Sequence, residues 1–148
     1  MTPETRQTIQ SSWAKVVPIA DTAASLFYDR LFEIDPQLKP LFGATDMAAQ
    51  RKKLIQALAA VVNALNDLDS VIPALQSLGR RHVDYGVEDQ HYDTVGAALI
   101  WTLEQGLGDD WNPETRDAWI EAYGLVSGVM KSAAADAASE SNLHLKPA

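Results

Sequence analysis

Cysteine is absent from all 148 residues. Its absence excludes disulfides, zinc–thiolate and iron–sulfur sites, thiolate nucleophiles and prosthetic groups tethered through sulfur. Any metal chemistry must therefore use histidine, carboxylate or tyrosine. Long apolar runs are missing too: stretches such as LAAVV (58–62) fall far short of a membrane span. The opening MTPETRQTIQ has neither the basic start nor the apolar core of an export signal, so the cytoplasm is the expected compartment. Positive charge is scarce, with 12 Lys and Arg against 20 Asp and Glu and a net charge of −8. Nucleic acid and anionic membranes would be repelled, and neither is an expected partner. Finally, no run alternates apolar and polar residues, and no Asn-Gly or Asp-Gly turn joins β-branched stretches, which removes the case for a sheet.

What remains is helical spacing nearly everywhere, so the expected fold class is all-α. The chain is one domain's worth, large enough to bury roughly 70% of its unfolded surface and to enclose a ligand. Thr2-Pro3-Glu4 and Asn112-Pro113-Glu114 each supply a capping side chain, a proline at the first helical position and an acid facing the dipole, marking the first and last helices. A helix from about Ile19 should end at Asp35-Pro36, and PQLKPLF reads as a tight, proline-bounded turn. Further helices are predicted from Asp46 to Asn66, from a Ser70 cap to His82, and from Asp89 to Gly106, with Gly86 as a break. Seven or eight helices are expected over a domain of residues 1–137. The alanine- and serine-rich stretch 138–148 lacks an apolar stripe and reads as a disordered tail.

His82 extends a stripe made by Val71, Leu75 and Leu78, whose spacings of four, three and four place all four residues within about 60° on a helix. Its imidazole should face the interior, while Arg80 and Arg81 point elsewhere. Local sequence also allows a plainer role, a partly buried histidine satisfied by a backbone carbonyl. Leu54, Leu58, Val61 and Leu65 form the apolar face of the preceding helix, and Gln50 lies one turn ahead on that face. Tyr28 shares a face with Ala24 and Leu31. Taken singly, a boundary glutamine and a core tyrosine would need no further explanation.

The order and spacing of these residues resemble the globin family over residues 2 to about 132. The segments that carry the resemblance are LFYDRLFEIDPQLKPLF, QRKKLIQAL, LGRRHVDYGVEDQHYDTVG and DAWIEAYG. Also shared are the thirty-two-residue step from Gln50 to His82, the proline-opened turn ending in Phe42, and the run from His82 through Gly86-Val87 to Tyr92. The chain is similar to single-domain bacterial globins allied to neuroglobin and to the haem domain of flavohaemoglobins.

That resemblance implies a globin fold of seven to eight helices around a non-covalent haem b, with His82 as the proximal ligand to iron. Phe42 would pack on the porphyrin. Tyr28 and Gln50 would form the distal pair, whose O–H and N–H donors stabilise negative charge on a bound diatomic gas. Neuroglobin carries a histidine where this chain has Gln50, so coordination by two histidines is not expected. Leu54 would limit ligand access, Val87 would line the haem, and Lys53 and Arg81 would meet its propionates. Tyr92 matches a tyrosine that flavohaemoglobins use, with a glutamate, to hydrogen-bond the proximal histidine. Counting from the shared AYG, the glutamate position falls on Asp136. His91 and His144 are expected at the surface.

The implied ligands are O2, NO and CO. The implied function is high-affinity O2 binding, extended by oxidation of nitric oxide to nitrate. No glycine-rich dinucleotide fingerprint occurs in the 148 residues, so such turnover would draw electrons from a separate reductase. Non-enzymatic O2 storage or delivery and gas or redox sensing are the alternatives. A peroxidase is disfavoured because Gln50 cannot shuttle protons.

Overall fold

The computed structural model of the chain describes residues 1–84 and 87–145, the side chains of residue 84 and of 138–145 excepted. Among the described residues there are six α-helices and no strand: α1 (Pro3–Val16), α2 (Ala20–Ile34), α3 (Met47–Asn63), α4 (Ile72–Asp84), α5 (Asp89–Leu107) and α6 (Pro113–Leu145). The count falls below seven or eight because the intervening pieces are short 3₁₀ helices. The longest of these, Pro36–Phe42, is the proline-bounded turn, extended over seven residues. The expected break at Gly86 lies outside the described residues. So do residues 146–148 of the expected tail, whose preceding residues 138–145 are described in backbone only, as the end of α6.

Helix starts follow capping chemistry. Thr2 accepts the Thr5 N–H at 3.1 Å, and Asn112 accepts the Thr115 N–H at 2.8 Å, each followed by proline. Asp46 does the same for α3, accepting from Ala48 and Ala49. Ser70 does not cap α4. Its hydroxyl donates back to the Asp67 carbonyl at 2.7 Å, closing a 3₁₀ turn over Leu68–Ser70, and α4 begins at Ile72-Pro73 beyond it.

Packing pairs α2 most closely with α5, and α4 with α6. The main core joins Ile9 and Trp13 of α1, Phe27 and Leu31 of α2, Leu99 and Leu103 of α5, and Trp119 of α6. Trp119 donates its indole N–H to buried Ser12 at 2.8 Å, and Ser12 donates onward to the Thr8 carbonyl, so the buried Trp119 indole is satisfied. A second, smaller cluster forms around Leu75, Tyr92 and Met130. Gly79 makes that second cluster possible, because a methyl group at its position would collide with the backbone of Met130. Val61 of α3 packs against both clusters.

Candidate functional site

The core is split, and the predicted site residues are divided between its two parts. On the α2–α3 side, Tyr28 is buried in α2 and Gln50 sits in the first turn of α3. The Gln50 amide N–H donates to the Tyr28 hydroxyl oxygen at 3.2 Å. Because the phenol oxygen accepts this bond, its own proton is left to donate elsewhere. Burial pushes the Tyr28 ionisation above its ordinary value of 10, partly offset by the Gln50 bond, so the phenol stays a donor at neutral pH.

Aromatic rings hold this phenol in place. Phe27 meets Tyr28 edge-on at 5.0 Å between centroids and Phe42 at 5.7 Å, while Phe32 closes the group at 6.3 Å from Tyr28 and 5.6 Å from Phe42. Phe32 was not singled out from sequence, although its position one turn after Tyr28 puts both on the same face.

On the α4–α5 side, His82 extends the Val71–Leu75–Leu78 stripe, as its spacing predicts. Its Nδ1 lies 2.6 Å from the Leu78 carbonyl oxygen, which can only accept; Nδ1 therefore carries the proton, and the lone pair of the neutral ring is on Nε2. The plainer reading of His82 is met by this bond, which also orients the lone pair on Nε2. Burial lowers the His82 ionisation, opposed by the Leu78 bond and reinforced by neighbouring Arg81, so the neutral ring is favoured. The Val87 N–H donates to the His82 carbonyl at 3.0 Å, tying the start of the next segment to this helix end. Tyr92 stacks obliquely beside His82 at 6.4 Å, with its hydroxyl buried and unpartnered among the described residues.

Leu54 and Val87 are half-buried, whereas Lys53 and Arg81 are exposed. His91, half-buried, accepts the Glu88 N–H at 2.9 Å and closes the start of α5; the side chain of His144 lies outside the described residues. Asp136 does not join the proximal group. It is exposed on a groove with Ile72, Gln76 and Arg80. The reason is helix phase: Tyr123 reaches the Tyr92 carbonyl, and thirteen residues further along α6 the chain has advanced roughly 20 Å and turned to another face.

The apolar stripes of α3 and α4 are only half covered by protein. Phe42, Leu54, Leu58 and Val61 on one side, and Val71, Leu78 and Val87 on the other, were all expected inside and are half-buried. These are surfaces suited to a flat apolar group, with a neutral imidazole from one side and two hydrogen-bond donors from the other.

A globin family model matches residues 25–130. The chain belongs to the globin family. It is also 30% identical over 126 residues to the flavohemoprotein of Bacillus subtilis (strain 168), an alignment covering 84% of this chain and 32% of that protein. This globin therefore spans about a third of the length of the curated relative it matches. Haem is the group the family holds, and the donor set of this globin fits it: nitrogen rather than sulfur, a fixed tautomer, and half-covered apolar faces on two helices. Among the described residues, no helix is long and apolar enough to cross a membrane.

Proposed function

We propose that this globin binds haem b non-covalently through Nε2 of His82 and uses that haem to bind O2 with high affinity. The observation that carries the reading is the Gln50-to-Tyr28 hydrogen bond, which leaves the Tyr28 proton to donate to a ligand. When bound, haem supplies an iron that takes a diatomic gas and can exchange one electron. The protein does the rest. The Leu78 carbonyl holds the His82 ring in orientation, Phe42 and Leu54 present apolar surface, and Tyr28 and Gln50 direct donors at charge that develops on the gas. Lys53 and Arg81, both exposed, would pair with propionates at the rim.

The test is the O2 dissociation rate of haem-loaded protein. A hydrogen bond to a charged acceptor contributes about 1.5–3 kcal/mol, so Tyr28→Phe should release O2 on the order of 10- to 100-fold faster. An unchanged rate would remove Tyr28 from the site. A spectrum showing an internal sixth ligand in the reduced protein before gas is added would favour sensing or electron transfer instead.

The likeness to a flavohemoprotein favours a second reading on the same site, conversion of NO to nitrate. The balance is one NO, one O2 and one electron per nitrate, so a reductase must supply the electron. Repeated nitrate formation when a reductase is added would separate this activity from O2 storage or delivery. A single turnover that stops would favour storage.

A further inference from the structure

We infer that Lys131 is a positioning residue of the proximal side, holding Tyr92 beside the His82 ring. The inference rests on the reading of His82 as the haem ligand. Lys131, on α6, places its ammonium 5.6 Å from the centre of the Tyr92 ring. The Tyr92 ring lies 6.4 Å from that of His82, so the ammonium is no farther from the imidazole than those two distances together.

Two further contacts fix this arrangement. Asp93, the residue after Tyr92, pairs with Lys131 at 3.8 Å and steers the ammonium back over its neighbour's ring. Tyr123, one α6 turn pair before Lys131, donates its hydroxyl to the Tyr92 carbonyl and packs against Gly96, where a larger residue would strike its ring. Tyr92 is thus held at its backbone by Tyr123 and at its ring by Lys131, both from α6. Its phenol is buried, as is much of the Lys131 stem, so the cation acts on the ring where water competes less.

The chemical consequence concerns which acceptor the His82 N–H uses. A carboxylate beside the ring would draw that proton and make the imidazole a more strongly donating ligand. Here Lys131, which reaches the Tyr92 ring from α6, is a cation, and Asp136 is on another face. The proton stays on Nδ1 of His82, which donates it to the Leu78 carbonyl.

Two readouts test this, one of them without haem. In the haem-free chain, the Lys131 side-chain methylene protons next to the ammonium should show an upfield ring-current shift in NMR that Tyr92→Leu abolishes. In the haem-loaded chain, the iron–histidine stretching frequency should match wild type in Lys131→Arg, change in Lys131→Met and rise in Lys131→Glu. Unshifted lysine protons, or one frequency across all four proteins, would overturn the proposal. Failure of wild type to take up haem through His82 would defeat both this inference and the reading on which it rests, whatever the haem-free spectrum shows.

Discussion

A phenol that accepts one hydrogen bond and keeps its own proton is useful only while it stays protonated. Burial raises the ionisation of Tyr28, and it does the same for Tyr92, with Asp89 adding to the effect, and for Tyr123. The sign for stability follows from the neutral form being favoured in the fold. The contribution is complete below the ordinary value of 10 and is lost as pH rises through the higher folded values. Haem-free protein should therefore hold its stability to about pH 10 and lose it above. Tyrosinate absorbance would report these three residues as ionising late and together with unfolding. Tyr28→Phe should remove one late-ionising group and soften the alkaline loss. Ionisation of all the tyrosines near pH 10 in a chain still folded by circular dichroism would contradict the burial argument.

At the scale of elements, Gly79 is a point of close approach between α4 and α6. Gly79→Ala pushes a methyl group into the Met130 backbone, which has no rotamer with which to yield, so α4 must shift. Overpacking of this kind costs about 1–3 kcal/mol, and the residue displaced with the helix is His82, three positions on. Denaturant unfolding should show that loss, with weakened haem retention accompanying it. Unchanged haem retention in a destabilised variant would mean the shift is absorbed away from His82. Asp46→Ala is the milder counterpart at α3. Loss of the cap costs about 0.5–2 kcal/mol, and Gln50 in the first turn should hold its ligand less well. An O2 release rate equal to wild type would show that the first turn survives without its cap.

Those same elements show what was legible beforehand. The caps at Thr2 and Asn112 and the His82 stripe could be read because they depend on neighbours within one or two turns. Ser70 misled because serine closes a 3₁₀ turn as readily as it caps a helix, and only the downstream proline at Pro73 shows where α4 can start. Asp136 misled for a different reason: counting along a chain ignores the 100° per residue that decides which face of α6 is presented. Lys131 carries no local signal at all, since its role arises from how α5 crosses α6. Phe32 was within reach, one turn from Tyr28, but aromatic spacing alone does not distinguish a core ring from one that frames a hydroxyl.

For the molecule as a whole, the division of the core sets the response to haem. The main cluster around Trp13 and Trp119 is closed by its own side chains, whereas the stripes of α3 and α4 are half covered. A ligand bound only by the folded state stabilises it by about 2.7 kcal/mol at a free concentration one hundred times Kd. For a chain of this size, each kcal/mol corresponds to about 2–4 °C in Tm, so haem should raise Tm by several degrees. The gain should not be uniform. Hydrogen exchange should slow most in α3 and α4, whose apolar faces gain cover, and least in α1 and around Trp119 in α6, which are already packed. His82→Ala should keep the main core intact and lose most of the haem-dependent protection in α4. Equal slowing across all six helices would instead mean that haem acts on global unfolding alone, and the two clusters would then be one cooperative unit joined through Val61.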